Sequence, residues 1–272
     1  MIRMGPELWY EYLDYSRMRD AAVRSGSFEF AQIADMPSAA MLPLCMFIRR
    51  SGIAWTAPGN ERLAALVSGL VSGGAEAVSG VNTNTDLIRL PDNRTHQLDM
   101  KEILHAIQTR ADLFGGENAF TYVVGELADN WNQHSQSRNS YILARGLPDL
   151  RCSELSIIDD GITIGGSFRK AGMEVENDML AVKRAVGGLS SKSREERGYG
   201  LYSTLRILTE GLHGTVLVVS GGGALERIWT SPGKILQKTY HLGGSICGFE
   251  GTLVSARMPM PAPKLDIYDY TG

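Results

Sequence analysis

The chain has 272 residues, 43% of them hydrophobic and 21% charged, with 31 glycines and a formal net charge of −3. That length can bury one large core or two modest ones, and the slight acidity excludes a global basic field that would draw the chain to nucleic acid or anionic lipid. Cys45, Cys152 and Cys247 are few, scattered and without a CxxC, which points to reduced thiols rather than a disulfide frame or zinc site.

In chain order, residues 6–24 read as an amphipathic helix, with Pro6 at a favoured first position and Leu8, Tyr12, Tyr15 and Met18 at helical spacing. The same segment lacks the apolar centre of a signal peptide. No later stretch reaches the roughly 18 apolar residues that span a bilayer. A soluble cytoplasmic protein with no membrane partner is therefore expected.

"SFEFAQI" (27–33) begins with strand alternation, and "PSAAMLPLCMFIRRSG" predicts a helix from Ser38 to a glycine stop at Gly52, with Pro43 in its second turn. "IAWTAP" reads as a strand, and Asn60 caps the helix "ERLAALVSGLV". The glycine-rich, polar stretch 72–86 is the best linker or long loop in the chain. Helices are expected over 99–111 and 117–135. "SYILARG" and "LRCSELSIIDDG" predict paired strands joined by a Gly-Leu-Pro-Asp turn. A short helix over 177–188, a glycine-fronted helix over 198–212, and strands in "GTVLVVSGGG", "LERIWTSP" and "GTLVSARMPMP" complete the pattern. Two helices followed by glycine-punctuated strands and helices suggest an α/β sandwich rather than a βαβ-wound parallel sheet.

Four stretches carry chemistry. In "GELADNWNQHS", Glu126 and Asn130 are four apart and share a helix face, with His134 one turn further. A carboxylate and an amide oxygen suit Mg²⁺ and a water molecule, and the carboxylate with that water makes a general-base arrangement. A solvated helix face is the plain alternative, and His134 reads equally as a cap or surface residue. In "LSIIDDGITIGGSF", a buried strand runs into Asp159, with Gly161 two residues on; the carboxylate could accept a hydrogen bond from a flat ligand lying against the glycine, or could satisfy its own turn. Gly198 and Gly200 open a helix whose free N–H groups would favour phosphate, although GxG before a helix is common. Thr252 stands near the start of the closing strand.

Taken in order, ExxxN on a helix, DxG after a strand, GxG opening a helix and GT on a last strand resemble the boxes of the GHKL ATPase superfamily, over roughly residues 101–262. That superfamily includes gyrase, mismatch-repair ATPases, heat-shock chaperones, histidine kinases and anti-sigma-factor kinases. The resemblance implies a Bergerat-type α/β sandwich, a mixed sheet covered by helices on one face, preceded by a smaller α/β region (1–100) and followed by a tail (263–272). It implies ATP and Mg²⁺ as ligands. Asn130 matches the Mg²⁺ ligand, and Glu126 the residue that polarises the attacking water or acceptor hydroxyl. Asp159 matches the aspartate that receives the adenine amino group, Gly161 the glycine beneath the ring, and Thr252 the threonine that steadies that aspartate and a water at the adenine. Gly198 and Gly200 match the glycines at the phosphate end. Lys192, Arg194 and Arg197 fall in the segment corresponding to the ATP lid, where they could reach phosphate or form a solvated charged loop. The chain departs from the usual DxGxG at Thr163, whose β-branched side chain narrows the backbone options and could shift the adenine-side loop.

None of the five histidines sits in a phosphoacceptor box, and Glu126 together with His134 resembles the anti-sigma group most. The expected function is an anti-sigma-like serine/threonine kinase or ATP-dependent partner switch acting on a protein partner. The alternatives are an ATPase that opens and closes a dimer in a larger complex and a nucleotide-gated binding module without turnover. Members of the superfamily often dimerise, so the resemblance allows a homodimer, but the sequence does not give the oligomeric state. The N-terminal region more faintly resembles part of a STAS domain, which would put Ser38 near that fold's phosphorylated switch position; its other reading is a helix N-cap.

Overall fold

A computed structural model describes residues 7–73, 87–90, 108–189, 200–231, 233–244 and 246–270. The chain begins with α1 (Leu8–Ser25), closed by Gly26 in the left-handed conformation. Next come β1 (Ser27–Glu29), α2 (Ser38–Ser51), β2 (Ala54–Thr56) and α3 (Glu61–Ser72). Asn60 caps α3 as its sequence predicts, its Oδ1 accepting the Leu63 N–H at 3.0 Å. Strands β1 and β2 pair in parallel as a separate two-stranded sheet.

Strand β3 (Leu87–Leu90) precedes a 3₁₀ helix over Gln108–Phe114. Most of the expected linker 72–86, most of the helix expected over 99–111 and the expected boundary at residue 100 lie outside the described residues. Helix α4 (Glu117–His134) leads into the hairpin β4 (Ser140–Leu147) and β5 (Cys152–Asp159), joined through Pro148–Leu150. Then follow α5 (Ile164–Lys170), α6 (Asp178–Val186) and α7 (Gly200–Arg206), the last continued by a π turn over Ile207–Gly211. Strands β6 (Thr215–Gly221), β7 (Gly223–Ser231), β8 (Lys234–His241) and β9 (Phe249–Pro259) complete a seven-stranded sheet in the order β3-β4-β5-β9-β6-β7-β8.

The fold is α/β, but two expectations about the sheet need correction. Every described pairing in it is antiparallel rather than mixed. Helices also cover both faces, not one. The physical reason lies in the strands: Ile157 and Ile158, or Val218 and Val219, are adjacent and both buried, so each face needs an apolar cover. One face carries Leu155, Ile157, Val218 and Val254 against α4, α6 and α7. The other carries Tyr141, Ile158, Leu217 and Leu253 against α1–α3.

Charge as well as apolar surface joins the N-terminal layer to the sheet. Arg257 of β9 lies 2.8 Å from Glu11 of α1 and 2.5 Å from Glu154 of β5. Arg145 of β4 bonds the other Glu154 oxygen at 2.9 Å and donates to the Met36 carbonyl at 2.7 Å. Burial alone would raise the Glu154 carboxyl, but Arg145 and Arg257 together hold it below its ordinary value. Ser38 lies in this same interface. It is the first residue of α2 rather than its cap, is fully buried, and sits 3.1 Å from Ser255 Oγ and 3.0 Å from Ser156 Oγ. A phosphoryl group could be added there only by lifting α2 from the sheet, so this buried hydroxyl does not serve as an open switch position. At the other end of the chain, Leu265, Ile267 and Tyr270 of the expected tail pack against the helix-side core.

Candidate functional site

The end of β5 builds the site. Residues alternate along a strand, so Asp159 shares the face of Leu155 and Ile157 and lies beneath α4. Its cross-strand partners are Ser140 on β4 and Thr252 on β9. The side chain is only 5% exposed, and Oδ1 accepts the Gly161 N–H at 2.9 Å. Burial pushes the carboxyl pKa up to about 7; the Gly161 N–H opposes that shift, the Asp160 charge adds to it, and the Thr252 backbone opposes it again. Asp160 has a different task. Its Oδ1 accepts the Arg138 and Asn139 N–H groups at 2.9 Å each, and its Oδ2 accepts Asn139 Nδ2 at 2.6 Å. Of the two adjacent aspartates, only Asp159 lines the cavity.

Gly161 lies directly against the end of α4. A methyl on its Cα would sit 1.9 Å from the Ser135 carbonyl oxygen, the same oxygen that accepts the Ile162 N–H at 2.6 Å. Thr163, where the sequence departs from a DxGxG pattern, has an ordinary extended backbone (φ −68°, ψ 166°). Its Oγ1 accepts the Gly166 N–H at 2.9 Å, so the threonine caps α5. Ile164, Ser167 and Phe168 of that helix then form one wall of the cavity.

The cavity has a volume of about 130 Å³. Asn130, Asp159, Gly200 and Thr252 all line it, with Trp131, Ile157, Phe168 and Val254 as apolar surroundings. The expected residues of four separate stretches thus meet at one place. His134 also lines it, its Nδ1 3.4 Å from Ser167 Oγ, so it is more than a surface residue. Glu126 stands at the edge. A methyl built on Gly200 would lie 3.6 Å from Asn130 Oδ1 and 3.8 Å from Glu126 Oε2, so both side chains of the helical stripe converge on the front of α7. Asn130 Nδ2 is buried and has no hydrogen-bond partner among the described residues. Such an orphan costs about 1–3 kcal/mol unless an acceptor, from the rest of the chain or from a ligand, is supplied. Lys192, Arg194, Arg197 and Gly198 lie outside the described residues.

Among the described residues no three His, Cys, Asp or Glu side chains gather as a metal cluster. Ser220 is a site residue that sequence reasoning missed. It is fully buried behind Thr252, 3.0 Å from the threonine Oγ1. A single serine at the end of "TVLVVS" carries no motif, and only the strand order brings it there.

No described helix is long and apolar enough to cross a membrane. No protein-family model matches the chain, and no curated protein matches it.

Proposed function

We propose that the chain binds Mg-ATP as a GHKL-type regulatory protein and acts in the manner of the anti-sigma kinases. It would phosphorylate a serine or threonine of a protein partner, or change partners with nucleotide state. The observation that carries this reading is the shared cavity: the buried Asp159 carboxylate and Thr252 at one side, Asn130 and Gly200 at the other. A Bergerat-type sandwich accommodates that arrangement, here with the α1–α3 layer added on the second face of the sheet. The reading places the protein in the cytoplasm, where ATP is available.

The residues fit the ligand by type. Asp159 is an acceptor for an exocyclic amine, Gly161 does not line the cavity but holds that carboxylate through its N–H, and Trp131, Ile157 and Val254 offer apolar surface to a flat base. Asn130 has an amide oxygen for Mg²⁺ and an N–H, without a partner among the described residues, for phosphate. Bound Mg-ATP supplies an electrophilic γ-phosphorus. Glu126, four residues before Asn130 on α4, would take the proton of the attacking hydroxyl or water at its carboxylate.

Incubation with γ-labelled ATP, Mg²⁺ and a cell extract tests the reading. Label transferred to a protein supports the kinase, and released phosphate points instead to an ATPase. Label in neither, with ATP bound, leaves the partner switch. Glu126→Ala should abolish turnover while ATP still binds; undiminished turnover removes Glu126 from its role. Failure of the wild-type chain to bind Mg-ATP at millimolar concentration refutes the nucleotide reading altogether.

A further inference from the structure

Ser220 is surrounded by three hydrogen-bonding groups, and their chemistry fixes every proton among them. The Ile164 backbone N–H can only donate, and it reaches Ser220 Oγ at 2.9 Å. The Gly251 carbonyl can only accept, and it lies 3.0 Å from the same oxygen. A serine hydroxyl has one proton and two lone pairs. Its proton is taken by Gly251 and one lone pair by Ile164. What remains toward Thr252 Oγ1, 3.0 Å away, is a lone pair, so Thr252 is the donor in that contact.

We infer that Ser220 is a positioning residue that turns the Thr252 hydroxyl proton away from the cavity, so that Thr252 presents only an acceptor beside Asp159. The inference rests on the nucleotide reading above. Thr252 lines the cavity and Ser220 does not, so Ser220 acts entirely through its neighbour. Above pH 7, where the carboxyl is ionised, the two site oxygens, carboxylate and hydroxyl, then both demand a donor from the ligand. At the 6-position a 6-amino purine offers a donor, whereas a 6-oxo purine offers an acceptor there and sets it against two acceptors. Without Ser220 the Thr252 hydroxyl could rotate and donate to an oxo group, and discrimination would fall. The same serine ties the start of α5 to β6 and β9, which keeps the wall of the cavity in register with its floor.

The test compares ATP with inosine triphosphate, the 6-oxo analogue, by titration calorimetry on the full chain at about pH 8, where Asp159 is ionised. Wild type should prefer ATP, and Ser220→Ala should reduce that preference about tenfold, the scale of one hydrogen bond. Ser220→Cys, which keeps the side-chain size with a weak donor and acceptor, should fall between and covers the case in which the alanine variant does not fold. In a Thr252→Val background Ser220→Ala should leave the ratio unchanged, because the hydroxyl it orients is gone. A ratio unaffected by Ser220→Ala and Ser220→Cys, or affected equally with and without the Thr252 hydroxyl, overturns the inference while leaving ATP binding intact. Absence of binding by both nucleotides to wild type removes the nucleotide reading and this inference with it.

Discussion

Asp159 and Gly161 hold each other in place: the carboxylate Oδ1 accepts the glycine N–H at 2.9 Å, and the glycine is pressed so close to Ser135 that a methyl would lie 1.9 Å from its carbonyl oxygen. The hydrogen bond favours the charged carboxylate, while burial favours the neutral acid, and burial wins, with a pKa of about 7. A group in that balance can be ionised by a ligand that offers it a proton donor.

Asp159→Asn therefore separates stability from binding. In the folded wild type the carboxyl keeps its proton well above its ordinary 3.8, so its favourable contribution is complete below about pH 4 and is lost as pH rises through 7. The variant should be as stable as wild type or more so at pH 8, and its relative advantage should grow from pH 5 to pH 8 in urea titrations. ATP affinity should fall by about one to two decades, since a hydrogen bond to an ionised acceptor contributes roughly 1.5–3 kcal/mol. Wild-type affinity should itself weaken by up to about tenfold per pH unit below 7, a slope the variant lacks. Unchanged affinity on calorimetry would exclude Asp159 from the site.

Gly161→Ala tests the close approach. The atom in the way is backbone, the Ser135 carbonyl, and it cannot swing aside like a long side chain. Either the 161–163 loop or the end of α4 must move, at an expected cost of about 1–3 kcal/mol, typical of overpacking. Thermal melts should show the loss, and a crystal structure should show the loop displaced from Ser135. A variant of wild-type stability with its loop in place would contradict this packing.

Gly200→Ala is a different kind of change. Its methyl would meet Asn130 and Glu126 only at ordinary contact distances, 3.6 to 3.8 Å, but φ is +38°, which side-chain-bearing residues rarely adopt. The penalty is conformational, on the order of 1–2 kcal/mol. If α7 instead relaxes at its first turn, its N–H groups move with respect to Asn130, and ATP should bind more weakly. Gly200→Asn, which tolerates positive φ better, should be less destabilising than the alanine variant in the same melts. The reverse order would show that space, not backbone, sets the requirement.

Much of the fold was legible because single segments carry their own signals. The β4–β5 hairpin followed from two apolar runs around Pro148 and Asp149, the α3 cap from Asn60, and α4 from its periodicity. Strand β8 escaped notice because "KILQKTYH" is a half-exposed edge whose polar residues blur the alternation, and α5 because two glycines interrupt "IGGSFRK". The covering of the second sheet face was unreadable for a deeper reason. Periodicity states that a side of a strand is buried but not by what. Asn130, Asp159, Gly200 and Thr252 could be found because each lies in a stretch with a recognisable spacing. Ser220 and the Ser135 carbonyl could not, since their roles exist only once distant segments are placed together.

The N-terminal layer yields the last prediction. Arg257 is 3% exposed and bridges Glu11, also 3% exposed, to the fully buried Glu154. Replacing it by methionine fills similar space but leaves Glu11 without that partner and Glu154 with Arg145 alone. Removing one member of a buried ion pair costs roughly 3–5 kcal/mol, and Arg257→Met should lose about that much in urea unfolding at pH 8. High salt should not restore it, because the charges lie out of reach of solvent ions. Glu11→Gln should cost less. Burial raises the Glu11 carboxyl to about 7 against the pull of Arg257, and Oε2 has no partner among the described residues. A raised pKa means that the Glu11 contribution is complete below its ordinary 4.5 and is lost as pH rises through 7, so the penalty of Glu11→Gln should shrink between pH 6 and pH 8. If instead Arg257→Met and Glu11→Gln cost the same at pH 8, then Glu154 does not depend on Arg257, and the layer is held by its apolar contacts alone.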